Sequence, residues 1–245
     1  MQKLSLKYLN LLDKENNKFL KLSKLKKFLL KRVCNNNSIY NYQFERLINT
    51  NFKKKKTNLN ILDVGAGLCK YYPESVNNCK NNYYACDVKD VFRNFIEYRG
   101  INFIEVDLSK KQIDINDGFF DLIICSHMIE HLSNPELLLN ELERILCPGG
   151  IIFFKTPNIK QVKWNFYDDF THLRPYTQNS LLKAVESQNL TIMNCYTTTL
   201  YMDFFLGLMK KNILNPFNLV FLFFGLYCHF FRNDMKEIIC LALKV

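Results

Sequence analysis

The chain has 245 residues, 48% of them hydrophobic and 23% charged, with a net charge of +10. That is enough apolar material for one large domain with appendages, and it excludes a globally disordered chain. Nine cysteines with no pair at CxxC spacing argue against structural zinc and a disulfide framework, and point to a reducing, intracellular setting.

In chain order, residues 1–59 carry 15 basic and 3 acidic side chains, a net +12, while the remaining 186 residues sum to −2. Leu, Phe and Tyr recur at helical spacing through about residue 50, and no apolar block is followed by a small-residue cleavage site, so no secretory leader is expected. A lysine run, "KKKKTN" (53–58), reads as a linker. The division expected is therefore a basic helical extension and linker over 1–57 and one α/β domain over 58–245. The extension's charge makes either a solvated surface or an attraction to anionic partners, lipid headgroups or nucleic acid among them.

Strands are then predicted at 60–64, 82–88, 101–107 and 119–126, the last apolar on both faces as a central parallel strand must be. Helices are predicted at about 71–79 and at 134–146, where Pro135 suits the first turn and Cys147-Pro148-Gly149-Gly150 makes a stop and turn. A strand at 151–157, a polar and aromatic loop, a helix at about 177–188 and strands at 190–200 and 237–245 follow. Between the last two strands lies an insertion at about 201–235. Its run at 215–231 is apolar on every helical face, yet shorter than the ~20 residues a spanning helix needs. It reads as an interfacial segment, or as a buried lid or dimer face. Alternating strands and helices predict a parallel sheet that holds its ligands at the carboxyl ends of the strands.

The first such end is "NILDVGAGLCK" (60–70). Gly65 and Gly67 allow a tight turn and a close approach of backbone to a ligand. A dinucleotide fingerprint asks for a small residue where Lys70 stands, which disfavours NAD. Asp63 precedes the turn, Asp87 ends the second strand 20 residues beyond Gly67, and Asp107 ends the third. So acidic a rim repels a pyrophosphate and accepts a cation. S-adenosylmethionine offers adenosine, positive charge and no phosphate.

With "ILDVGAG", "YYACDV", "IEVDL", "FDLIICSHMIEHLSNPELLLNELERILCPGG", "FFKTPN" and "DFTHLRPYT", residues 58–200 and the last strand resemble the class I S-adenosylmethionine-dependent methyltransferases. The group includes the ubiquinone-biosynthesis O-methyltransferases and methyltransferases of surface-polysaccharide pathways. The resemblance implies a Rossmann-like seven-stranded sheet with its last strand antiparallel and inserted beside the sixth. It implies Gly65 and Gly67 at the methionine end of the cofactor, Asp87 at the ribose, Asp107 and Leu108 at the adenine, and Ser126 and His127 beside the sulfonium. It also shows a departure, since Cys69 stands where relatives commonly have a third glycine.

Methyl transfer to a hydroxyl profits from a positioned base. His172 follows the fifth strand and is the candidate, with Asp168 or Asp169 to orient it and Arg174 to meet an anionic acceptor; the alternative is that it caps the helix near Thr177 or anchors the loop. His131 and Glu130 read as packing residues more than catalytic ones. No D/N-P-P-aromatic motif and no Pro-Cys nucleophile appear, so nucleic acid is not the expected acceptor, and no metal is expected. The expected activity is O-methylation of a small-molecule, glycan or lipid-linked hydroxyl in the cytoplasm, with peripheral contact to the inner face of a membrane through 1–57 and 215–231. The alternatives are N-methylation of an amino sugar and a non-catalytic S-adenosylmethionine-binding assembly partner.

Overall fold

Seven strands among the described residues form a single sheet: β1 Asn60–Val64, β2 Asn82–Asp87, β3 Asn102–Glu105, β4 Phe120–Ser126, β5 Leu146–Pro157, β6 Leu190–Thr199 and β7 Lys236–Lys244. Their order is β3-β2-β1-β4-β5-β7-β6. β1 to β5 pair in parallel, whereas β7 runs antiparallel to both β5 and β6. This is the sheet expected, with the last strand reversed between the fifth and the sixth. The computed structural model describes residues 38–52, 58–72, 81–88, 92–199 and 236–245. Residues 1–37, most of the helix expected at 71–79 and the apolar run at 215–231 lie outside these.

Period-two alternation builds a core on each face of the sheet. Leu62, Val64, Ile123, Cys125, Ile152 and Phe154 face one side, where α3 (Glu136–Ile145) brings Leu138 and Leu142 and α5 (Gln178–Glu186) brings Leu181 and Val185. Ile61, Leu122, Ile124, Ile151 and Phe153 face the other, covered by Phe44, Leu47 and Ile48 of α1 (Ser38–Asn51) and Ile96 of α2 (Arg93–Tyr98). β4, buried on both faces, lies at the centre as its unbroken apolar run predicts.

The limits of α3, β5 and β3 differ from those expected. α3 ends at Ile145 because Leu146 already pairs with Phe120, and the next pair is Leu122 with Ile151. The residues between, 147–150, loop out of β5, with Gly149 at φ +77° and no room at Gly150 for a Cβ, which would stand 2.8 Å from the Cys147 carbonyl oxygen. β3 stops at Glu105, and Asp107 opens a turn instead, its carbonyl accepting from the amides of Lys110 and Lys111 at 2.9 Å. Two short elements after β5, α4 (Ile159–Val162) and a 3-10 helix at 163–168, fill part of the expected loop. α5 starts on a reciprocal cap. The Thr177 hydroxyl accepts from the Ser180 amide, and the Ser180 hydroxyl accepts from the Thr177 amide. Thr177, and not His172, therefore caps this helix.

Candidate active site

The carboxyl ends of β1, β2 and β4 meet at the glycine turn. Gly65 and Gly67 have φ of +64° and +48°, where a side chain is strained. A Cβ on Gly65 would stand 2.8 Å from Met128 Cγ, so packing also demands a glycine there. A Cβ on Gly67 would meet nothing within 4 Å; it would project into open space. Cys69, at φ +50°, adopts the left-handed conformation that a glycine takes freely, and its thiol side is fully buried in the core beneath the turn. The departure noted in the sequence thus exchanges backbone ease for apolar packing.

Three sets of hydrogen bonds hold this turn. The amides of Gly65 and Ala66 donate to the Cys86 carbonyl, and the Gly67 amide donates to Asp87 Oδ2 at 3.1 Å. From the end of α2, the buried Arg99 guanidinium donates to the carbonyls of Leu68 (2.9 Å), Cys69 (3.3 Å) and Tyr72 (3.0 Å), with the Tyr72 and Phe95 rings against its faces. Nothing in the sequence around Arg99 marks this role, since a lone arginine at a helix end reads as a solvated cap.

Beside the turn lies a cavity of about 180 Å³ lined by Asp63, Gly65, Gly67, Lys70, Ser126 and His127 among others. Asp63 is buried, and burial lifts its carboxyl to about 8 in spite of a 2.9 Å hydrogen bond from the Tyr83 hydroxyl. Burial likewise raises Asp87, against the opposing amides of Gly67 and Val88. Asp107 goes the other way: burial is outweighed by Lys110 and Ser109, which engage both of its oxygens and hold it below the usual carboxylate range. Asp107 is not among the residues lining this cavity, and the Leu108 side chain is buried in the core. The Ser126 hydroxyl meets the Tyr71 hydroxyl at 3.2 Å, which in turn lies 3.5 Å from Gln43 Oε1 of α1.

Bare backbone facing open space at Gly67, with carboxylates at the ends of β1 and β2, fits a cationic adenosine cofactor that has no phosphate. Asp63, Gly65, Gly67, Ser126 and His127 would hold its amino-acid end and Asp87 its ribose. Replacing Gly67 with valine is expected to fill that space. Isothermal titration should show loss of S-adenosylhomocysteine binding by at least about 100-fold, with the apo-protein still folded, since the strain itself costs only about 1–3 kcal/mol.

His127, also at positive φ (+53°), sits between two carboxylates. Its Nδ1 lies 3.2 Å from Glu130 Oε1 and its Nε2 2.9 Å from Glu237 Oε1. Burial opposes a charge on the ring, yet these two bonds outweigh it and raise His127 to about 9. Glu237 is pulled down to about 2, against burial, by the fully buried Lys155, whose Nζ is 2.9 Å from its Oε2, and by His127. Glu130 accepts a further bond from the Thr156 hydroxyl at 2.9 Å. Sequence reading missed Lys155 and Glu237. The only signal was a lysine interrupting the apolar run "IIFFKTP" and an acid at the start of the last strand.

The acceptor side brings His131 and His172 together, with ring centroids 4.8 Å apart. His131 Nδ1 meets the Thr171 carbonyl at 3.1 Å and its hydroxyl at 2.9 Å. That hydroxyl donates to Asp169, so it accepts from His131, and the Nδ1 of His131 carries the proton. His172 donates through Nδ1 to the Phe166 carbonyl at 2.6 Å and stacks on the Phe166 ring. When either ring is neutral, its Nε2 is the lone-pair atom. Asp169 reaches His131 through Thr171 and stands 3.9 Å from His172 Nε2. Arg174 donates to the Ser133 carbonyl at 3.1 Å. Donor atoms of Glu130, His131 and His172 lie within 4.8 Å of one another.

Comparisons with known proteins bear on the family and the fold. Residues 37–194 match a family model described as a methyltransferase domain. The mitochondrial ubiquinone biosynthesis O-methyltransferase of Dictyostelium discoideum is 27% identical over 152 residues, which cover 56% of this chain and 46% of that protein. The match thus spans less than half the length of that relative. Among solved structures, coclaurine N-methyltransferase bound to N-methylheliamine and S-adenosylhomocysteine shares the fold at a TM-score of 0.58 and 12% identity, over 84% of this chain and 70% of that one. The [4+2]-cyclase SpnF does so at 0.57 and 18%, over 82% and 80%. Turn, strand order and family match converge on one statement: the chain belongs to the methyltransferase-domain family, in the class I group that uses S-adenosylmethionine.

Proposed function

We propose that the chain methylates a hydroxyl on a small-molecule, glycan or lipid-linked acceptor. The observation that carries this reading is the His131–His172 pair. Two imidazoles, with ring centroids 4.8 Å apart, have Nδ1 committed to loop carbonyls, which leaves the Nε2 of each to accept a proton. A hydroxyl needs such an acceptor for its proton as its oxygen becomes nucleophilic. An amine that arrives unprotonated needs it less. The curated O-methyltransferase relative supports the same choice. The same fold in the [4+2]-cyclase SpnF hosts other chemistry.

When bound, S-adenosylmethionine supplies a methyl group on a sulfonium, a very good leaving group. The chain's part is to hold the acceptor in line and to accept its proton. His172 Nε2 takes that proton, with Asp169 beside it. His131 fixes the loop through Thr171 and offers a second lone pair. His127, charged and clamped by Glu130 and Glu237, gives the cavity a rigid wall beside Ser126.

The test is transfer of labelled methyl to panels of hydroxyl and amine acceptors by the wild type and by His172→Ala. Transfer to hydroxyls, falling about 10²-fold or more in the variant while S-adenosylhomocysteine affinity stays within about twofold, is the expected result. Transfer to amines alone, indifferent to His172, gives the N-methylation reading. Tight cofactor binding with no transfer to either panel gives a non-catalytic partner. Contact with the inner face of a membrane through 1–57 and 215–231 belongs to the same proposal. Among the described residues no helix is long and apolar enough to cross one.

A further inference from the structure

The loop that carries His172 exposes four large apolar side chains: Trp164 (82% exposed), Tyr167 (49%), Phe170 (58%) and Leu173 (50%). They recur every third residue. Lys163, at φ +54°, ends α4 and starts the 3-10 helix at 163–168, and on such a helix residues three apart share a face. Trp164 and Tyr167 accordingly stand together, with ring centroids 6.1 Å apart. Val162 at the end of α4 and Phe166 of the 3-10 helix are buried, and Phe166 stacks on His172 at 4.4 Å. The loop is thus anchored from beneath while its outer face remains apolar.

We propose that this face is an anionic-bilayer docking surface, inserted to the depth of the lipid headgroups. Its make-up suits that place. Trp and Tyr pair an apolar ring with a polar tip and collect at the water–lipid boundary, while Phe and Leu supply burial. Lys160, Lys163 and Arg174 are exposed around it, against Asp168 and Asp169, and Asp169 is engaged by Thr171. Of the chain's +10, residues 1–59 supply +12 and the remainder −2, so the attraction this face itself offers an anionic surface is that of its three basic side chains against two acids. The carboxyl edge of the sheet then faces the bilayer, with His172 just behind the docked loop. This deepens the membrane contact proposed above by giving it a site among the described residues, and it does not depend on methyl transfer.

Trp164 is the only tryptophan in the chain, so the native protein reports on this loop without a label. The full chain is titrated with vesicles of phosphatidylcholine plus phosphatidylglycerol and, separately, of phosphatidylcholine alone. Trp fluorescence, quenching by bromine-labelled acyl chains and co-sedimentation are followed. Expected are a blue shift and quenching with the anionic vesicles, and a loss of vesicle affinity of roughly tenfold or more in Phe170→Ser/Leu173→Ser. Unchanged S-adenosylhomocysteine affinity in that variant shows that it remains folded. Co-sedimentation without any Trp shift, or unaffected by the double substitution, overturns the docking loop and leaves attachment to another part of the chain. No co-sedimentation at low salt overturns both this proposal and the membrane contact. A blue shift that grows with protein concentration in the absence of lipid makes the face a contact between copies of the chain, and also overturns it.

Discussion

S-adenosylhomocysteine is expected to bind up to roughly tenfold more tightly for each unit of pH between 6 and 8, and Asp63→Asn is expected to remove that slope. The cause is the buried Asp63 carboxyl, which burial holds protonated up to about 8 in the free protein. Held at the glycine turn, the ligand would bring an α-ammonium group to the same cavity, and that cation would favour the ionised carboxylate. Binding below about pH 8 must therefore expel a proton, at a cost of about 1.4 kcal/mol per pH unit. Titration calorimetry near pH 7, in two buffers with different heats of ionisation, should report release of close to one proton. The apo-protein shows the converse. Its folded state keeps the Asp63 proton across a window, from about 4 to about 8, in which the unfolded chain has lost it. This site's contribution to stability therefore declines as pH rises through that window. A flat affinity profile, with heats indifferent to the buffer, sinks the idea.

Arg99→Ala is expected to destabilise the protein by about 3–5 kcal/mol and to lower the melting temperature by roughly 10 °C. Its guanidinium engages the carbonyls of Leu68, Cys69 and Tyr72 at once, and truncation takes that partner from all three, leaving Cys69 only the Tyr72 amide, in a site that water reaches poorly. Arg99→Lys keeps the charge but not the planar fork, and it is expected to recover less than half of the loss. Because those carbonyls belong to the turn that exposes Gly67, cofactor affinity should fall along with stability. A melting temperature within about 2 °C of wild type in the alanine variant, read by circular dichroism, would remove Arg99 from the account.

What the sequence disclosed follows from which forces are local. β1, β2 and β4 were legible because burial on one or both faces imposes a period on neighbouring residues, and the turn at Gly65–Gly67 because positive φ restricts residue type in place. The Cys-Pro-Gly-Gly stretch misled on the limits of α3 and β5. Its turn chemistry was read correctly, but a pairing of Leu146 with Phe120 is a tertiary event that no local signal encodes. Asp107 shows the same limit on a smaller scale. The sequence places it at a strand end, whereas it opens the turn that follows and its oxygens meet Ser109 and Lys110 there. Lys155, Glu237 and Arg99 were hidden because each finds its partners across the fold, and a single charge at long range leaves no periodic trace.

β7 lies one strand in from the edge of the sheet, between β5 and β6, although it is the last of the described strands in sequence. During synthesis, the glycine turn, the acids beside it and His127 all emerge while that slot is still vacant. Until residues 236–244 arrive, β5 and β6 each present an unpaired edge and His127 lacks one of its two carboxylates. A nascent chain therefore holds the glycine turn and the acids beside it without a closed sheet to keep them in place. Its passage to the native state waits on a long-range insertion that is slow by its topology. In the cell this interval is where a chaperone or a protease would find the protein, and where a mutation in β7 would be felt before any effect on chemistry.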